Sequence, residues 1–394
     1  MSFRQRVDIA ALVLLFTLAA PSARAQEPVP SASVQSAAVV AVEAATDAAP
    51  SPKPRSPGSI SDEIGTSQPS SSPSNPAGAS YLNSLNGVIN FGEHWSIDPG
   101  FLFTEQLGAP PPAGSNFASS GGHVSLFSLG ADWDSGDHWS LGLSSSFSPK
   151  SSNLSSTSIQ LNQTVWAARL NSDSSNVELG LNAGYDTNGD SNVEWTFVGS
   201  VTGGHLDSVQ KIDAAENPST GKTRTAAELK AACVANPKRC RKALLAALNS
   251  QDVVLDSLRT ALGATLTLFD STDITLSGDD YLYRQDPSAV GYFNVAKGGR
   301  TVSGGGGVPI APLRFDGRLE LVHRFGPLSI KLWGSVGEYA VEASGLTYSG
   351  GAKIQYKFTR AFRLWVTASV QHDIDDTGDD FMSWDAALGA GYRF

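Results

Sequence analysis

The 394-residue chain holds 28 Lys and Arg against 38 Asp and Glu, a formal charge of −10, with 17% charged residues, below the roughly 25% of an average soluble domain. That balance argues against a nucleic-acid partner. Two cysteines are too few for a disulfide scaffold or a four-cysteine zinc site, and beyond residue 20 no apolar run reaches the ~18 residues of a membrane-crossing helix.

Residues 1–25 read as a secretory signal. Arg4 and Arg6 precede an apolar run from Ile9 to Ala20, and Ala23-Arg24-Ala25 offers a small-x-small cleavage pattern before Gln26. Cleavage removes three Arg and one Asp, leaving the mature chain at −12. No cysteine follows the cut, so no lipoprotein is expected. Residues 26–80 are rich in Ala, Pro, Ser and Gly. They hold too few large apolar groups to offset chain entropy, which predicts a disordered linker. Lys53 and Arg55 between Pro52 and Pro57 could touch peptidoglycan; a plain tether is the simpler reading.

From Trp95 onward the dominant pattern has period two, the signature of strands. Leu313-Phe315-Gly317-Leu319-Leu321 alternates with Arg314-Asp316-Arg318-Glu320, and Trp139-Leu141-Leu143 with Ser140-Gly142-Ser144. Twelve strands are predicted: 122–133, 138–148, 157–170, 176–186, 192–204, 257–269, 273–284, 313–324, 328–338, 346–358, 361–372 and 381–394. A hairpin over 87–103 would make fourteen. One apolar face per strand fits a soluble sandwich or a barrel facing lipid. Strand length, aromatic residues near strand ends and a Gly/Ser-rich polar face favour the barrel. The fold class expected is therefore all-β: an antiparallel transmembrane barrel over 81–394 with a small helical insert at 207–256.

In that insert, Thr225–Lys230 and Arg241–Leu248 read as helices on either side of Asn236-Pro237. Cys233 and Cys240 flank the break, and an exported chain favours a disulfide between them. A cap over the outer mouth is the preferred place for the insert. With Phe394 inside, the turns near residues 270–273, 326–327 and 359–360 are periplasmic. By the same count, however, Ser135-Gly136 and Asp173-Ser174 fall outside.

The last strand, Trp384-Ala386-Leu388-Ala390-Tyr392-Phe394 against Asp385-Ala387-Gly389-Gly391-Arg393, resembles those that end the outer-membrane β-barrel proteins of Gram-negative bacteria. The resemblance implies residence in the outer membrane and contact with its lipid and lipopolysaccharide. It also implies recognition of Ala390, Tyr392 and Phe394 by the barrel-assembly machinery.

Motifs for chemistry are sparse. His372 beside Asp373, Asp375 and Asp376 reads as an acidic loop more readily than as a catalytic pair, and Asp186-Asn188-Asp190 lacks the glycine and terminal acid of a calcium loop. No nucleophile elbow, zinc-protease or phosphate-loop motif is present, so no enzyme, metal or cofactor is expected. The polar face of the last five strands carries Arg314, Arg318, Arg324, Lys331, Lys353, Lys357, Arg363 and Arg393 against Asp316, Glu320 and Asp385. A basic lumen wall of that kind would favour anions. The functions weighed are a small porin-like pore or transporter for polar or anionic solutes, a non-conducting structural or surface-interaction barrel and, behind both, a barrel hydrolase.

Overall fold

The computed structural model describes residues 57–69, 79–107, 120–161, 164–187, 193–217, 219–235, 248–285, 313–340, 346–374 and 380–394. The expected signal peptide, the proline-flanked Lys53 and Arg55, and the acidic run Asp375–Asp379 lie outside these residues. The strands are β1 (Gly58–Pro69), β2 (Ser80–Phe91), β3 (Trp95–Gln106), β4 (Ser120–Asp134), β5 (Trp139–Leu161), β6 (Thr164–Asp186), β7 (Val193–Asn217) and β8 (Lys222–Thr225). A helix, α1 (Ala226–Ala235), precedes β9 (Gln251–Leu268), β10 (Thr272–Tyr283), β11 (Leu313–Phe325), β12 (Leu328–Tyr339), β13 (Leu346–Lys357), β14 (Phe362–Ile374) and β15 (Asp380–Arg393).

Each strand pairs antiparallel with its chain neighbour, β7 pairs directly with β9, and β1 pairs with β15. The sheet thereby closes on itself as a 14-stranded barrel. An even strand number is what lets the first and last strands meet antiparallel, and closure leaves no unpaired edge in lipid. β8 forms only a short flap on the upper end of β7.

The expected twelve strands are corrected to fourteen by two changes. Strands β1, β2 and β3 are added at the front; β1 arises from residues 58–69, inside the stretch expected to be a disordered linker. The expected strand 157–170 is not one strand. It comprises the upper ends of β5 and β6 and the connection between them, which pair in register from Leu161↔Thr164 downward. That single subtraction shifts the parity of everything before it. The turn at Ser135-Gly136 now lies at the Phe394 end with the other short turns, and Asp173-Ser174 is no turn at all but part of β6.

Alternation explains the outer face. Ile64 of β1, Leu388 of β15 and Val366 of β14 are register neighbours, and each is half or more exposed. Exposed leucine and isoleucine in unbroken rows across adjoining strands are costly in water and stable against acyl chains. Trp384 and Phe394 bracket this band on β15. Ten residues at a rise of about 3.3 Å and a tilt of about 40° project to about 25 Å, the height of the apolar belt of such barrels.

β5, β6 and β7 run 23, 23 and 25 residues, well past what the belt needs, and stand out as a wall at the end opposite Phe394. The helical insert sits on this wall and is narrower than the 207–256 expected, because β7 continues to Asn217 and β9 begins at Gln251. Thr225 and Glu228 start α1 with a capping box. The Glu228 amide donates to Thr225 Oγ1 at 3.3 Å, and the Thr225 amide donates to the Glu228 carboxylate at 2.8 Å. These bonds hold the Glu228 carboxyl below its ordinary pKa. Leu229 and Cys233 of α1 are buried against Trp166, Ala168, Ile212 and Ala215. Trp166 and Ala168 share the inward parity of Glu178 and Asn182, so the helix packs on the lumen-side face of the wall. Most of the second expected helix, 241–247, lies outside the described residues.

Candidate functional site: the barrel interior

The inward face of each strand is polar, and its charges are arranged in pairs. On β11 and β12, the Glu320 carboxylate forms ion pairs with Arg318 Nε at 2.5 Å and Lys331 Nζ at 2.9 Å, all three side chains being about 15% exposed or less. Arg318 also lies 5.5 Å over the Trp333 ring. On β9 and β10, Arg259 holds Asp279 through two bonds of 3.2 and 3.0 Å, with Tyr281 beside it. Arg324 pairs with Asp273 near the Phe394 end.

On β14, Trp365 donates its indole N–H to Glu63 of β1, across the β15 strand between them. Lys353 and Arg363 lie over the same ring at 4.8 and 5.5 Å. A Cβ at Gly389 would overlap this indole, so only glycine lets Trp365 lie flat against the wall.

The residues expected to line the lumen divide by position. Asp316, Arg318, Glu320, Lys331, Lys353, Lys357 and Arg363 have inward parity, with Lys357 exposed at the lower rim. Arg314 does not join them. It falls in a β-bulge between Leu313 and Phe315, is 68% exposed and reaches Glu338 at 3.4 Å at the upper rim. Ala390, Tyr392 and Phe394 have outward parity at the lower end of β15, and Phe394 exchanges main-chain bonds with Gly58 of 3.0 and 3.3 Å. Cys233 is buried on α1, no cysteine among the described residues is free, and Cys240 lies outside them. His372 carries outward parity between Tyr348 and Met382.

One charged wall is legible in the sequence; the facing one is not. Asp98 on β3 and Asp132 on β4 stand half the ring away from β11 and β12. A Cβ at Gly142 would overlap both Asp132 and Asn182, so the glycine lets these two oxygen-bearing side chains converge. Glu178 joins this side, bonded by Ser146 at 3.2 Å and Asn176 at 3.1 Å. The interior thus has a cationic arc on β11–β14 and an anionic arc on β3–β6. The pattern was present as isolated Asp residues in Gly/Ser strands, but only strand order makes them one face.

Above the apolar belt, His205 of β7 faces outward between two carboxylates. Its Nδ1 lies 2.7 Å from Asp256 and its Nε2 3.3 Å from Asp207. The Asp256 hydrogen bond, more than any other contact, raises the imidazole above its ordinary pKa, and the same bond lowers that of Asp256.

Fourteen antiparallel strands, a closed ring, an apolar belt between aromatic rows and a polar interior leave one class. The chain is an outer-membrane β-barrel. Searches among family models and curated proteins return no match, but solved structures share the architecture. The monoaromatic hydrocarbon channel CymD superposes with a TM-score of 0.55 at 10% identity, covering 86% of this chain and 89% of its own. The toluene transporter TodX of Pseudomonas putida gives 0.51 at 9%, covering 87% and 90%. A FadL homologue of Pseudomonas aeruginosa gives 0.51 at 10%, covering 86% and 90%. At such identities the likeness is one of fold. The closed ring, its exposed apolar belt and its polar interior place the barrel in the outer membrane of a Gram-negative cell.

Proposed function

We propose that this barrel is a passive outer-membrane channel for small polar solutes. The carrying observation is the interior itself, where cationic and anionic arcs face one another across a space lined with Ser, Thr and Gly. Opposed arcs set up a transverse field, which orients dipolar solutes and moderates the anion preference that the basic wall alone would impose. The reading predicts stepwise conductance of the folded barrel in planar bilayers, with anion and cation permeabilities within about threefold of each other. A membrane that stays sealed sinks the proposal, and a strongly anion-selective current restores the simpler basic-wall reading. The function is non-enzymatic in this proposal.

A second reading draws on a different feature. Leu206, Val253, Leu255 and Tyr283 form an apolar cluster on the upper, inward face. Such a surface suits capture of an apolar solute, the kind of cargo named for CymD and TodX. Toluene entry into cells that depends on Leu255 and Val253 would favour it over the polar channel.

The proposal extends to partners. The outward row ending in Ala390, Tyr392 and Phe394 is the segment offered to the assembly machinery, the belt contacts lipid and lipopolysaccharide, and the proline-flanked Lys53 and Arg55 are a candidate peptidoglycan contact. Cys233 is proposed to pair with Cys240, which would fasten the chain beyond α1 to the wall. Maleimide should label neither cysteine in unfolded, non-reduced protein and both after reduction. Labelling without reductant would remove the disulfide.

A further inference from the structure

A cavity of about 70 Å³ opens on the inner wall, lined by residues of β1, β2, β3, β12, β13, β14 and β15. That is several times the ~10–15 Å³ one water requires, so the niche admits a fragment of a few heavy atoms. Its lining contrasts with the rest of the interior. It includes the Trp333 indole, the Glu63 and Asp385 carboxylates and a set of hydroxyls, and among the described residues no Lys, Arg or His lines it.

Two of those hydroxyls stand out. Ser67 and Thr104 are 7% and 5% exposed, and neither has a hydrogen-bond partner among the described residues; the Thr367 hydroxyl, on the same cavity, also has none. Nearby hydroxyls are satisfied: Ser369 donates to Asp385 at 3.2 Å, and Ser335 and Ser349 bond each other at 2.7 Å. Buried hydroxyls left without partners are unfavourable and rare. Three converging on one cavity mark a surface shaped for something that hydrogen-bonds.

We infer that this niche is a binding subsite for a neutral polyhydroxylated solute. A polyol or sugar hydroxyl both donates and accepts, so it satisfies Ser67, Thr104 and Thr367 and also donates to the carboxylates. Its C–H face packs on Trp333. The alternatives fit less well. An anion would meet Glu63 and Asp385. An apolar solute would leave the hydroxyls as they are. A cation would be drawn by the two carboxylates but repelled by the charges that flank the niche, with Arg318 over Trp333 and Lys353 over Trp365, the ring that donates to Glu63.

The inference rests on the channel reading only for the route by which solute arrives, and the two are separable. Xylitol is the probe, observed by saturation-transfer NMR on the folded full-length chain in detergent, with planar-bilayer current recorded on the same preparation. Xylitol should bind, and Ser67→Ala combined with Thr104→Val should weaken it about fivefold or more. Thr367→Val alone gives a second reading if the double variant fails to fold, and heat-modifiable gel migration reports folding. Absence of xylitol binding, or equal binding by the variants, overturns the subsite, as does displacement of xylitol by tetramethylammonium or benzoate at lower concentration. Current without xylitol binding sinks the subsite and leaves the channel; xylitol binding without current does the reverse.

Discussion

Replacing Leu388 with Arg should destabilise the folded barrel by about 2–4 kcal/mol, the penalty for a basic side chain at the midplane of a barrel's lipid face. Leu388 is 60% exposed and lies about midway between Trp384 and Phe394, flanked by Ile64 and Val366. At that depth an arginine is too far from either headgroup layer to place its guanidinium there cheaply. The neighbouring Ala387 points inward, and Ala387→Ser should change stability by less than about 1 kcal/mol. Denaturant unfolding in phospholipid vesicles measures both. Equal tolerance at the two positions would mean that the inside and outside of β15 have been exchanged, and the whole assignment of faces would fall with them.

That test bears on the part of the fold that was most legible in sequence. From Leu313 to Phe394 the expected strands agree with β11–β15 to within about two residues at each end, because large apolar and charged residues alternate there without interruption. Legibility failed where one half of the alternation was missing. β1 turns only Ile60 and Ile64 outward as large apolar residues, with Asp62 and Thr66 in the same row and Ser, Gly and Glu63 within. Such a composition reads as linker, and the strand is held instead by main-chain bonds to β2 and β15 on both sides.

The upper wall failed for the opposite reason. Above the belt neither face of β6 meets lipid, and over Asn171–Asn176 Ser, Asn and Asp occupy both. Asp173-Ser174 then looks more like a turn than the true connection after Leu161 does. The interior site was half visible. The cationic residues lie on consecutive strands joined by short turns, so their shared face follows from parity alone. Asp98, Asp132 and Glu178 belong to the same cavity only because β15 closes on β1. Likewise, nothing local in sequence brings Ser67 and Thr104 to the same niche as Trp333.

The second large effect concerns Glu320. This carboxylate is 13% exposed and is held between Arg318 and Lys331, themselves 14% and 15% exposed. Glu320→Ala leaves two enclosed cations without their shared counter-charge. Loss of one partner of a buried ion pair typically costs about 3–5 kcal/mol, most of it from the charge left behind. Glu320→Ala should therefore lower stability by about 3 kcal/mol, and adding Lys331→Met should restore a large part of the loss, since the surplus positive charge goes with it. The same substitutions probe the transverse field. Removing Glu320 strengthens the cationic arc and should move bilayer selectivity toward anions, and the double variant should move it back. A single variant as stable as the parent would show that water screens the trio as it does a surface pair. The inner wall at β11 and β12 would then be wet enough that its ion pairs tune permeation without supporting the fold.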